Sequence, residues 1–193
     1  LELLKQRLNL DSKSVTGFPY GEPFEKSGVR ISFHSAGHIR GSAQIKLDNG
    51  DQVWVISGDY KRQSDPTCSG FQNTECDVFV TESTFALPVY RWPSMDQVIP
   101  ELLNWWNSNI KQGRTSILLC YSLGKAQRIM SEIQNYSDRT VLVHKTISLL
   151  TKIYEADGVS FCDWRPIENS KKTLTDELVI APPSVGIEFL QQF

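Results

Sequence analysis

The sequence predicts a mixed α/β protein in two halves, and two observations carry that expectation. Up to about Glu82, apolar residues alternate with period two between clusters of turn formers. Beyond Pro88 and Pro93, short β-rich runs alternate with stretches of helical period, the pattern of a parallel sheet covered by helices. The chain has 193 residues, 40% hydrophobic and 22% charged, which suits one large or two small globular domains.

In the first half, Val29-Arg30-Ile31-Ser32-Phe33 and Ala43-Gln44-Ile45-Lys46-Leu47 both read as strands with one apolar face. Asp48-Asn49-Gly50-Asp51 supplies an Asn-Gly hairpin turn, whose two central residues tolerate positive φ, and Gln52–Ser57 returns as the partner strand. Asp77-Val78-Phe79-Val80-Thr81 is a short apolar run of the kind that makes a buried strand. In the second half, Ser94 with Gln97 forms a capping-box signature for a helix from Met95 to Gln112, stopped by Gly113. Its apolar face reads as Val98, Leu102, Trp105 and Trp106. Strands follow at Thr115–Cys120, Val141–Val143 and Leu178–Ala181, with helices at Leu123–Tyr136 and Ile147–Ala156 between them. There is no internal repeat and no low-complexity segment.

Several classes are disfavoured. No apolar run approaches the roughly 18–20 residues of a membrane span, so no membrane partner is expected. Leu1-Glu2-Leu3-Leu4-Lys5 lacks the build of a signal peptide and looks like the end of an amphipathic helix. Phe189-Leu190-Gln191-Gln192-Phe193 is apolar and stops without a tail, so the chain reads as an internal piece of a longer protein. Cys68, Cys76, Cys120 and Cys162 have no CxxC spacing, which argues against a zinc finger and for a reduced, cytoplasmic setting. With a net charge of −2, the whole chain offers no electrostatic attraction to nucleic acid. Such a partner must be held by a local basic patch or by metal ions.

Three strand ends carry the residues that chemistry could use. His38, in Ala36-Gly37-His38-Ile39-Arg40-Gly41-Ser42-Ala43, sits in a loop between two glycines that let the backbone bend sharply. A loop histidine bonded to backbone is the commoner use of such a residue. Asp59 follows the apolar run Val55-Ile56-Ser57-Gly58, and Glu82 ends Val78-Phe79-Val80-Thr81. Each carboxylate is thereby delivered to the rim of a sheet, although Asp59 reads equally well as a turn aspartate. Glu82 needs a histidine, a metal or backbone amides beside it, because an unpartnered buried acid is costly. A histidine and two acids at strand ends suit a hydrolytic metal centre. His34 reads as structural. His144 is either a satisfied surface histidine or a substrate contact, and Trp105 and Trp106 are core rather than base-stacking residues. Lys61, Arg62, Arg91, Lys125 and Arg128 are candidates for phosphate contacts or ordinary surface charge.

In order, the AGHxxGSA stretch at Ala36–Ala43, Ser57-Gly58-Asp59-Tyr60 and Thr81-Glu82-Ser83-Thr84-Phe85 resemble successive motifs of the β-CASP branch of the metallo-β-lactamase family. With Trp105-Trp106 and Tyr121–Arg128 added, the sequence is most similar to the bacterial DNA ligase-associated exonucleases, also called mRNA 3′-end processing factor-like. The resemblance runs from Phe24 to Phe193. It implies an α/β fold of two lobes. Residues 1–88 would be the C-terminal part of a metallo-β-lactamase αββα sandwich, and residues 89–193 an incomplete inserted β-CASP lobe, with the active cleft between them. It further implies that His38 ligates one metal and that Asp59 bridges two. Glu82 would orient a later histidine that assists the leaving group. The expected cofactor is two zinc ions, with manganese as the substitute. The expected partners are nucleic acid, DNA ahead of RNA, and a DNA ligase.

The sequence also departs from the family. Its HxHxDH metal motif would lie before Leu1 and its late DH-containing segment after Phe193, leaving His34, His38 and His144 as the chain's histidines. The parent protein is therefore expected to be active and this piece alone inactive. Ser35, Arg40 and Ala86 stand where proline, leucine and glycine are usual, and Arg40 brings a cation to the metal loop that could hold phosphate. Two rivals stay open. One is an RNA-processing nuclease of the same fold, the other a non-catalytic module that binds nucleic acid or protein.

Overall fold

The computed structural model describes residues 1–167 and 176–191, so Gln192 and Phe193 of the apolar C-terminal stretch lie outside the described residues. The chain is mixed α/β and divides into two compact units, Leu1–Arg91 and Trp92–Phe193. No helix among the described residues is long and apolar enough to cross a membrane.

The first unit opens with helix α1 (Glu2–Leu8) and builds one sheet from β1 (Phe24–Lys26), β2 (Val29–Ser35), β3 (Ala43–Asp48), β4 (Val53–Ile56) and β5 (Val78–Val80) in sequence order. The first four strands pair antiparallel and β5 runs parallel to β4. The β3–β4 turn sits one residue later than an Asn-Gly turn would. Gly50 (φ +91°) is the residue with left-handed backbone, while Asn49 Oδ1 accepts from the amides of Asp51 (3.0 Å) and Gln52 (2.8 Å). Asn49 therefore works as a side-chain acceptor and not as a left-handed residue.

Register sorts this sheet into two unlike faces. One row runs Phe24, Ile31, Leu47, Trp54, Val78, and the next runs Phe33, Ile45, Ile56, Val80. All nine are apolar, yet none is fully buried, and Trp54, Ile56 and Val80 remain 41%, 37% and 45% exposed. Phe18 stacks on Phe24 at 4.1 Å between ring centroids. The opposite face carries Ser32, Gln44 and Val55, all buried. The expectation of a buried strand at 77–81 is corrected here. β5 ends the sheet, so Phe79 and Val80 are exposed; an apolar triplet says that a strand is coverable, not that it is covered.

The second unit is a four-stranded parallel sheet of order β6-β9-β7-β8, formed by β6 (Ser116–Leu119), β7 (Val141–Val143), β8 (Trp164–Pro166) and β9 (Leu178–Ala181). The central strands β7 and β9 are wholly buried, which is why they read as unbroken apolar runs. Helices α2 (Met95–Lys111), α3 (Lys125–Ile133) and α4 (Lys145–Ala156) alternate with the strands, and the short α5 (Ile187–Leu190) follows β9.

Three local expectations are revised. The inner face of α2 is Met95, Ile99, Leu102, Leu103, Trp106 and Ile110, rotated from the expected stripe, so Trp106 is 1% exposed and Trp105 40%. Ser94 is the N-cap by position, but its side chain makes no capping bond. Helix α3 begins two residues late because Gly124 turns with φ +83°, and Gln127 Oε1 then accepts from its amide at 2.8 Å.

Cys120 and Cys162 belong to this unit's core, and burial pushes their thiols up to about 11 and about 12. The thiolate is the reactive form. At pH 8 a thiol reagent should therefore label the partly exposed Cys68 and Cys76 first, with Cys120 and Cys162 following only on unfolding. Peptide mass mapping after brief labelling checks this, and rapid modification of Cys120 or Cys162 in the folded chain would contradict it.

Candidate metal centre

Strand direction brings the site together. β2 ends and β3 begins at one edge of the first sheet, and antiparallel β4 returns to that edge. β5, parallel to β4, finishes there too. The 36–42 loop, the 57–60 turn and residues 81–84 therefore leave from a common rim.

The His38 loop is pinned by its own serine. Ser42 Oγ accepts from the amides of His38 (3.1 Å) and Ile39 (3.2 Å), and the Ala36 amide donates to the Ser42 carbonyl at 3.1 Å. Tyr20 adds a hydroxyl bond to the same carbonyl at 2.9 Å. Beneath lies the 61–72 segment. The amide of Lys61 donates to the Ala36 carbonyl (2.9 Å) and that of Gln72 to the Ser35 carbonyl (3.0 Å). Buried Gln44 spans the two segments, with Nε2 bonded to the carbonyls of Ser35 (3.0 Å) and Gln72 (2.7 Å). Gly37 is left-handed (φ +67°) and has no room for a side chain: a Cβ there would stand 2.3 Å from the Lys61 carbonyl oxygen and 2.7 Å from the Phe71 nitrogen.

Asp59 leaves the sheet through Gly58 (φ +55°), after the Ser57 amide has closed the ladder on the Val80 carbonyl at 2.9 Å. The next amide, that of Tyr60, donates to Glu82 Oε1 at 3.0 Å, and Thr84 Oγ1 donates to Glu82 Oε2 at 2.9 Å. Of the partners the sequence allows for Glu82, the structure supplies a backbone amide. His38 Nε2 then lies 3.9 Å from Asp59 Oδ2, with both side chains open to solvent.

That separation suits two donors on one ion, since zinc–nitrogen and zinc–oxygen bonds are each about 2 Å long. The number of donors does not suffice. Among the described residues no group of three or more histidine, cysteine or acidic side chains gathers around a common point. His38 and Asp59 therefore fit as part of a donor set that needs at least one more protein ligand.

The cations divide between the units. Arg40 is in the His38 loop, two residues beyond the imidazole. Lys125 and Arg128 share α3 in the second unit, where Lys125 Nζ sits over the Tyr121 ring at 5.2 Å from its centroid. Lys61 is corrected from the list of phosphate candidates, because its ammonium group is held by the buried carboxylate of Asp65. Burial alone would raise the Asp65 carboxyl; hydrogen bonds from Lys61 and Thr67 outweigh it and hold that carboxyl below its usual value. His144 caps α4, its Nδ1 accepting from the Thr146 amide at 3.3 Å, and burial, then Lys145, lowers its pKa. His34 lies on β2 with Nε2 2.9 Å from Ser32 Oγ.

No protein-family model matches the chain. Over 180 residues it is 28% identical to a protein of Opitutus terrae named "Probable DNA ligase", covering 92% of this chain and 17% of that protein. It is 27% identical over 171 residues to the transcription termination factor FttA of Methanothermobacter thermautotrophicus, covering 86% of the chain and 26% of the factor. An RNase J-like protein of Methanocaldococcus jannaschii is 29% identical over 119 residues, covering 61% of the chain and 28% of that protein. The chain is similar to these proteins, and the likeness agrees with its resemblance to the β-CASP branch of the metallo-β-lactamase family. It spans between about a sixth and about three tenths of the length of these relatives.

Sequence reasoning singled out the residues at the rim and missed those beneath it. Gln44, Asp65, Thr67 and the carbonyl of Ser69 support the His38 loop without any motif of their own. The readable signal was a polar residue, Gln44, at an inward position of an otherwise regular strand.

Proposed function

We propose that this chain supplies part of the metal centre and most of the inserted lobe of a metal-dependent nuclease that hydrolyses phosphodiester bonds. The observation that carries the reading is the approach of His38 to Asp59, 3.9 Å apart at a rim where four strand ends converge. His38 and Asp59 would hold metal, zinc or manganese. A bound pair of ions lowers the pKa of water and offsets charge on the phosphate in flight. For its own part, the chain presents the imidazole and the carboxylate on loops fixed from below, and Arg40, two residues beyond His38, would bring a cation for phosphate to the same loop.

The unlike faces of the first sheet support its reading as one half of an αββα sandwich. Nine apolar side chains in two unbroken rows, with Trp54, Ile56 and Val80 exposed, are what a second sheet would cover. Residues 89–193 then read as the inserted β-CASP lobe. The favoured substrate is DNA, digested from an end in repair alongside a DNA ligase, a reading that the name of the Opitutus relative supports. The names of the FttA and RNase J-like relatives favour RNA instead.

Matched DNA and RNA oligonucleotides, incubated with the full-length protein and zinc or manganese, separate these readings. The expected result is stepwise shortening of the DNA strand with the RNA intact. Shortening of RNA alone selects the second substrate. Failure to cut either by a metal-loaded protein would overturn the nuclease reading and leave a non-catalytic binding module.

A further inference from the structure

We infer that Glu82 is a positioning residue for Asp59, holding the backbone that aims its carboxylate at His38. The inference rests on the reading of His38 and Asp59 as metal donors and assigns Glu82 work that this reading does not require. Asp59 has little to fix it: Gly58 before it is left-handed, and the Asp59 carboxylate is 75% exposed. Upstream, the last ladder bond is Ser57 N to the Val80 carbonyl (2.9 Å); downstream, Lys61 N reaches the Ala36 carbonyl (2.9 Å). Between those two ties, Tyr60 N donates to Glu82 Oε1 (3.0 Å), on the residue directly following Asp59. Glu82 is fixed in turn, since Thr84 Oγ1 donates to its other oxygen (2.9 Å) and Val80, two residues earlier, is paired with Ile56. The carboxylate of Glu82 therefore joins the end of β5 to the turn after β4, at the place where the ladder between them has stopped.

This role depends on hydrogen-bond acceptance and not on charge. A glutamine at 82 would still accept from Tyr60 N through its amide oxygen, and its NH₂ would donate to a rotated Thr84 hydroxyl. An alanine keeps neither bond. A proton-transfer role makes the opposite demand, since glutamine abolishes it as fully as alanine does.

The test uses the full-length protein and two readouts: zinc affinity by competition with a chromophoric chelator, and hydrogen exchange of the Tyr60 amide in the metal-free state. Glu82→Ala is expected to speed exchange at Tyr60 and to weaken zinc binding by roughly 10–100-fold, the range for losing an outer-shell partner. Glu82→Gln is expected to stay near the unmodified protein in both. Thr84→Val, which removes one restraint on the carboxylate, is expected to shift both in the direction of Glu82→Ala by less, and serves if that variant does not fold. Unchanged exchange and affinity in Glu82→Ala would overturn the inference, as would a glutamine variant as impaired as the alanine one. Asp59→Asn provides the separate control. If it binds zinc as tightly as the unmodified protein, the metal reading fails, whereas the exchange readout at Tyr60 still reports on Glu82.

Discussion

Gly37→Ala should destabilise the first unit by roughly 2–6 kcal/mol, although it adds a single methyl group. Two costs combine. A non-glycine residue held at positive φ costs about 1–3 kcal/mol, and Gly37 has φ +67°. Overpacking adds about 1–3 kcal/mol where neighbours can shift. Here the neighbours are the backbone atoms of Lys61 and Phe71, 2.3 and 2.7 Å from the new Cβ, which no rotamer change can move aside. Relief requires the 36–42 loop to lift off the 61–72 segment, breaking the Lys61 N to Ala36 carbonyl bond on the way. Gly41→Ala is the matched comparison. That residue lies in the same loop at φ +81° with nothing within 4 Å of its Cβ, so it carries the conformational cost alone. Urea unfolding of the chain and both variants checks the difference, and equal midpoints for the two alanines would show that the contact under Gly37 is not a constraint.

The rim of the candidate site was legible in the sequence because each of its residues is announced locally. Glycines bracket His38, a glycine precedes Asp59, and Glu82 closes an apolar run, so backbone freedom and strand ends mark them without knowledge of the fold. Of what holds the rim in place, only the inward polar Gln44 left a signal, and its partners were not legible. Gln44 reaches Gln72 across 28 positions and Ser35 reaches Ser69 across 34, and no short window of sequence contains both ends. The same division runs through the fold. Parallel pairing in the second unit followed from strand–helix alternation, because unbroken apolar runs such as Leu178–Ala181 belong at a sheet's centre. The inner face of α2 did not follow, since Trp105 and Trp106 are adjacent and equally apolar. Trp106 turned inward to join the core cluster that also holds Met130, Val141 and Leu178, and the Asp176 carbonyl accepts from its Nε1 at 2.9 Å. Exposure of β5 was also beyond local reading, because it depends on what lies next to the last strand and not on the strand itself.

Asp59→Asn should leave the fold intact and abolish metal retention in the full-length protein. Among the described residues the carboxylate accepts no hydrogen bond that the fold depends on, and its ionisable neighbour there is the solvent-exposed His38, 3.9 Å away. Exposed pairs of this kind contribute about 0–1 kcal/mol, so the unfolding midpoint should barely move. The effect on metal should be far larger. Asparagine preserves shape but removes the negative charge that a carboxylate would bring to a divalent ion such as zinc. Loss of an outer-shell partner already weakens metal binding by about 10–100-fold, so loss of a direct donor should exceed that range, and hydrolysis should fall by more than the roughly 10²–10⁴-fold of a general acid–base group. The two readouts move apart only if Asp59 is a ligand. A structural aspartate would lower the unfolding midpoint and the metal content together, and a surface aspartate would change neither. Metal analysis after dialysis, paired with thermal unfolding of the same samples, distinguishes all three. Full zinc content in a stable Asp59→Asn protein would remove Asp59 from the centre and leave His38 as the single candidate donor there among the described residues.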